Sequence, residues 1–167
     1  YTDANVTKRD DGVWVVDGSI NLSGKGLVEL PFKGTTYKVT GNFYCPNNQL
    51  TSLEGAPQSV GGNFNCPHNQ LTSLEGAPQE VGGGFWSDNN QLTSLEGAPQ
   101  SVGGDFGCRS NQLIDFHGIS PKIGGSIFAE NNPICFTTGL STEQHTKVEG
   151  IDISKLQSQN ATTAFGW

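Results

Sequence analysis

Four cysteines, three histidines and a recurring glutamate are the residues with chemistry to offer. Cys45, Cys66 and Cys108 fall on a shared position repeated along the chain. Cys135 falls outside it and is the thiol expected to react. No CxxC pair supplies the convergent ligands of a zinc site. A cysteine repeated at one inward position is expected to be a small apolar filler. Side chains stacked in parallel rarely meet disulfide geometry. Of His68, His117 and His145, none has a serine, cysteine or acid placed beside it as in a catalytic triad. No P-loop, dinucleotide fingerprint or HExxH occurs. Glu54, Glu75 and Glu96 recur every 21 residues and are continued by His117. Three stacked carboxylates repel unless they fan into water or share a cation, for which oxygen ligands favour calcium. Fanning into water is the expected arrangement. The chain is read as a non-enzyme, with no metal and no cofactor.

What positions these residues is a repeat. "NQLTSLEGAPQSVGG" opens at Asn48, returns almost letter for letter at Asn69 and letter for letter at Asn90, and drifts at Asn111 and Asn132. The step is 21 throughout. Five apolar columns keep the same register. They begin at Val39, Phe43, Cys45, Leu50 and Leu53. The order apolar-x-apolar-x-x-Asn-x-Leu-x-x-Leu is the leucine-rich repeat signature, here at the short end of its period. Phe-x-Cys predicts a brief strand with both side chains inward. The asparagine after it is expected inside the turn, bonding backbone of its own and adjacent coils. "LEGAPQSVGG" has no helical periodicity and predicts extended or polyproline-like backbone and turns on the convex side. The glycine pairs from Gly61-Gly62 onward predict the corner back into the strand.

Six coils follow, in a mainly β solenoid with a parallel sheet on one face and little helix. Residues 1–17 read as an N-terminal cap and 18–136 as the solenoid, with the 21-residue period running from position 39. Residues 137–167 read as a C-terminal cap or tail. The first coil, at Ile20-x-Leu22, is offset from Phe43 by 23 rather than 21, with Lys25 in the asparagine slot. In the tail, Ile151-x-Ile153 is expected to add a last strand, and Phe165 and Trp167 to cover the open end or hang free.

Bulk properties agree. The 167 residues suit one domain, and 34% hydrophobic content is modest for a globule of that size. A repeat fold tolerates this because each coil buries a thin strip against its neighbours. A net charge of −7 argues against nucleic acid or an anionic membrane as partner. No apolar run is long enough for a transmembrane helix, so membrane insertion is not expected. The chain starts at Tyr1 rather than Met, as a trimmed or partial product would.

The columns that vary while the scaffold repeats point to function. Tyr44, Asn65, Trp86, Gly107 and Phe128 lie between the inward Phe and Cys positions. Asp88, Arg109 and Glu130 follow the Cys column, then His68 in the next, and Asp105 precedes the Phe column. By strand alternation all of these are expected to face solvent from a concave sheet. Three aromatics on alternating coils, about 10 Å apart, flanked by Arg, Asp and His, have the composition of a binding hot spot. The candidate site is therefore Tyr44, Asn65, His68, Trp86, Asp88, Asp105, Arg109, Phe128 and Glu130.

"NNQLTSLEGAP" with "VGGNF-C", led in by "VDGSINLSGKGLVELPFK", resembles a family of short leucine-rich repeat proteins carried by tailed bacteriophages and some bacteria. The resemblance covers roughly residues 12–134. It implies the fold and carries no residue role. The wider class includes substrate-recognition domains of bacterial effector ubiquitin ligases, whose catalytic domain has no counterpart here. With the aromatic columns above, the chain is read as a protein-binding module, in a bacterial cytoplasm or a virion, or secreted. A glycan-binding adhesin, or a structural part of a virion, are the alternatives.

Overall fold

A coil of 21 residues that hides five side chains has room for only two very short strands, and these recur without interruption. The computed structural model describes residues 5–156. In chain order the strands are β1 (Asn5–Lys8), β2 (Trp14–Asp17), β3 (Ile20–Asn21), β4 (Tyr37–Val39), β5 (Phe43–Tyr44), β6 (Ser59–Val60), β7 (Phe64–Asn65), β8 (Glu80–Val81), β9 (Phe85–Trp86), β10 (Ser101–Val102), β11 (Phe106–Gly107), β12 (Lys122–Ile123) and β13 (Ile127–Phe128). A four-residue helix, α1 (Thr142–His145), and β14 (Val148–Glu149) follow. The result is a mainly β parallel solenoid of about six turns with little helix.

There are two seven-stranded sheets rather than one. The expected sheet runs β3-β5-β7-β9-β11-β13-β14 and carries the Phe column. A second runs β1-β2-β4-β6-β8-β10-β12 and carries the Val column. The segment read as extended and turn backbone on the convex side thus contains paired strands. Two residues per coil suffice for a ladder once every coil repeats the geometry: Gly82 N–H donates to Val60 O at 2.8 Å and Gly103 N–H to Val81 O at 2.8 Å.

The glycine pairs do form the corner between the two sheets, but for a steric reason. A Cβ on Gly61, Gly82, Gly103 or Gly124 would overlap a carbonyl oxygen of the coil before it. Left-handed backbone occurs elsewhere, at Gly55, Gly76, Gly97, Gly118 and Gly139, and at the residue just before each repeat asparagine.

Each asparagine joins two coils. Asn69 Oδ1 accepts from Leu50 N–H at 3.0 Å, while its Nδ2 donates to Cys45 O at 3.0 Å and Cys66 O at 3.1 Å. Asn90 and Asn111 repeat the set one and two coils on. The core between the sheets is apolar and stacked. Phe43, Phe64, Phe85 and Phe106 lie ring on ring at 5.3–5.4 Å. Cys45, Cys66 and Cys108 are fully buried free thiols, and burial pushes Cys45 up to about 12. Ser87 fills the same column because its hydroxyl donates to Gly107 O at 3.0 Å. Cys135 is exposed.

The ends differ. The β1–β2 hairpin pairs antiparallel and closes the N-terminal edge of the Val-column sheet alone. At the other end the 21-residue register runs beyond 136: Val148 pairs with Ile127 and Glu149 with Phe128. The last strand among the described residues is therefore Val148–Glu149, and Ile153–Lys155 forms a 3-10 turn instead of a strand. Helix α1, held by a Ser141/Gln144 capping box, sits where a further Val-column strand would be. Buried Gln144 donates to Ser120 O at 2.7 Å, and Lys147 Nζ donates to Ile123 O. Lys147 thus satisfies a carbonyl that a next coil would have used, as Gly124 N–H uses Val102 O. Phe165 and Trp167 lie outside the described residues.

Candidate functional site on the Phe-column sheet

The outward positions of the Phe-column sheet form one cluster and one separate residue pair. β9, β11 and β13 stand side by side, with Trp86 beside Gly107 and Gly107 beside Phe128. Gly107 has no side chain, so Trp86 leans across it; a Cβ there would overlap the indole. Gly84 helps in the same way, since its Cβ would stand 2.7 Å from Trp86 Nε1. The indole thereby reaches Phe128 two coils away, with ring centroids 6.0 Å apart and planes 22° from parallel. The Arg109 guanidinium lies over the other ring, 4.4 Å from the Phe128 centroid.

Charge is ordered around this pair. Arg109 Nε donates to Glu130 Oε2 at 2.9 Å. Asp88 Oδ1 accepts from Arg109 N–H at 2.7 Å. Burial raises Asp88 above the ordinary aspartate value, opposed by the Arg109 backbone bond and charge. Trp86, Asp88, Arg109, Phe128 and Glu130 are therefore held against one another and half-buried.

The other predicted residues have different surroundings. Tyr44 and Asn65 lie on the same sheet, in register with Trp86, on the side away from Phe128. Asp105 Oδ1 accepts from Ser126 N–H at 2.8 Å, as Asn42 and Asn63 do for the following coils, so it belongs to a ladder that joins coils. His68 is exposed at φ 54°, with Asn47, Asn89, Ser110 and Asn131 at the same step. It occupies a left-handed turn after the strand, where asparagine is the common choice, and strand alternation does not set its direction.

The glutamate column meets a lysine at one end and a histidine at the other. Lys33 Nζ stands 2.9 Å from Glu29 and 3.3 Å from Glu54, and His117 Nε2 stands 3.2 Å from Glu96. Lys33 lies 21 residues before Glu54, a step that sequence reading missed across the irregular first coil. Compared with known proteins, the chain matches no protein-family model, no curated protein and no solved structure.

The raised Asp88 carboxyl carries a pH prediction. A folded-state value above the unfolded one means that the fold favours the protonated form. Stability from this group is present at acid pH and lost as pH rises through the folded value. Asp88→Asn keeps an oxygen for Arg109 N–H and has no charge to bury. It should melt above the wild type at pH 7, with the difference closing as pH falls toward 4. Melting curves of both proteins from pH 4 to 8 check this, and a pH-independent difference refutes it.

Proposed function

We propose that this chain is a non-catalytic leucine-rich repeat module, of bacteriophage or bacterial type, that binds a protein through its Phe-column sheet. The observation that carries this reading is the Trp86–Phe128–Arg109 cluster. Two glycines interrupt otherwise side-chain-bearing columns beside Trp86, and the indole fills the space they leave. Aromatic and arginine anchors ordered in the free protein are what high-affinity interfaces use, because little conformational freedom remains to be lost on binding.

Net charge indicates the partner's character. At −7 the chain as a whole favours the approach of a basic partner, with association slowing as salt is added.

The test is affinity capture from bacterial lysate with wild type beside Trp86→Ala and Asn65→Arg, each checked for fold by circular dichroism. A partner retained by wild type should bind Trp86→Ala at least about 30-fold more weakly, the loss expected for a central aromatic anchor. Asn65→Arg places a bulky cation on the same sheet and should also weaken capture. Equal recovery by all three baits would refute the assignment of the face.

A further inference from the structure

The first coil departs from the period, and the departure builds a hollow. Leu53 to Val60 is seven residues, whereas Leu30 to Val39 is nine. The two extra residues fall in "PFKGTTY", and Pro31, Phe32 and Thr35 of that loop form one wall of a cavity of about 700 Å³. Leu22 and Leu27 of the first coil form another, and Trp14 of the capping hairpin a third. The hairpin covers only the Val-column sheet, so the Phe-column edge at Ile20 has no strand over it. The strands from β5 to β13 of that sheet each have a neighbour on both sides.

The wall is ordered. Phe32 meets Tyr37 edge to face at 5.3 Å, and the Tyr37 hydroxyl donates away from the cavity to Gly55 O at 2.9 Å. Lys8 Nζ rests 5.4 Å from the Trp14 ring centroid. Val6 and Trp14, two of the four exposed large apolar residues of the described chain, line the mouth at 53% and 39% exposure. One charged residue belongs to the lining, Lys25. Its backbone N–H is fixed by Asn48 Oδ1 at 3.0 Å, and its ammonium forms no ion pair among the described residues. An apolar chamber of this size, in the range of pockets that take small ligands, with one cation in its lining, selects an apolar molecule with one negative end.

We propose that this hollow binds a fatty-acid-like monocarboxylate, its chain among Leu22, Leu27, Phe32 and Trp14 and its carboxylate at Lys25. The site is separate from the Phe-column cluster, and its occupancy does not depend on the protein-binding reading.

The experiment is titration calorimetry of the full chain with dodecanoate below its micellar concentration, then with decanoate, octanoate and uncharged dodecanol. Light scattering is run on the same samples. The expected result is one saturable site per chain, with affinity falling about three- to fourfold for each methylene removed. Lys25→Gln, at an exposed position, should weaken dodecanoate about two- to fivefold and leave dodecanol unchanged. Thr35→Trp, which fills the chamber from an exposed loop position, should abolish uptake of both. No saturable binding overturns the proposal. So does binding that ignores chain length and both substitutions, which is surface adsorption. A dimer that takes up no dodecanoate also overturns it, and assigns the hollow to a second copy.

Discussion

Asn90→Asp should destabilise the solenoid more than Asn90→Ala, although aspartate is the closer match in shape. The amide of Asn90 donates from Nδ2 to Cys66 O and Ser87 O at 3.1 Å and to Asp88 O at 3.3 Å. Its Oδ1 accepts from Leu71 N–H at 3.0 Å. Alanine orphans that buried N–H. The carbonyls fare better, because Asn69 also donates to Cys66 O and Asn111 to Ser87 O. One orphaned donor and a small void predict a loss of about 2–4 kcal/mol. Aspartate keeps the acceptor for Leu71 but turns a donor into an anionic oxygen facing three carbonyl oxygens. An uncompensated buried charge costs about 3–5 kcal/mol or more, a large share of the 5–15 kcal/mol that holds a typical domain folded.

The charge also fixes how that loss depends on pH. Such a carboxyl has its folded-state value raised, because only the protonated form can donate to a carbonyl. The variant should therefore be most stable at acid pH and lose stability as pH rises through the folded value. Urea unfolding of wild type, Asn90→Ala and Asn90→Asp at pH 4.5 and 7.5 checks both claims. An aspartate variant as stable as the alanine variant at pH 7.5 would refute the role given to Nδ2.

The asparagine ladder was legible because its cause is periodic. A polar residue kept at a 21-residue step next to an inward leucine has to meet the same backbone groups in each coil. The Phe, Cys and Leu columns were legible for the same reason. The second sheet was not. Ser59–Val60 is too short to show alternation, and its strand character comes from the coils on either side. Nor was the lean of Trp86 readable from strand alternation, which places residues on a face and says nothing of their tilt. The local signal was present in Gly84 and Gly107, where columns that otherwise carry side chains lose them. Strand alternation does not reach His68, which lies three residues beyond the strand in left-handed backbone. Val148 was missed because the tail retains the step of 21 while losing the asparagine and most of the leucines that made the step visible.

Phe85→Ala should have a comparable cost and a different signature. Phe85 is fully buried, with Phe64 stacked on one side at 5.4 Å and Phe106 on the other at 5.3 Å. Removing a buried phenyl ring costs about 3–5 kcal/mol through lost transfer energy and the void left behind. In a solenoid the position of the loss matters as well as its size, because each coil contacts only its neighbours. Phe85 lies in the middle of the column, so the void weakens two coil–coil interfaces together. The asparagines on either side are unaffected and keep the coils in register. The expected outcome is a stack divided in two: backbone amides from Phe64 to Phe106 should lose hydrogen-exchange protection first, ahead of global unfolding. The equivalent change at Ile127, next to the terminal strand, weakens the end of the stack and should leave protection at Phe64 close to wild type. Exchange measured by mass spectrometry on both variants separates these cases. Uniform loss of protection along the chain in Phe85→Ala would show that the solenoid unfolds as one unit and that nearest-neighbour coupling does not set its stability.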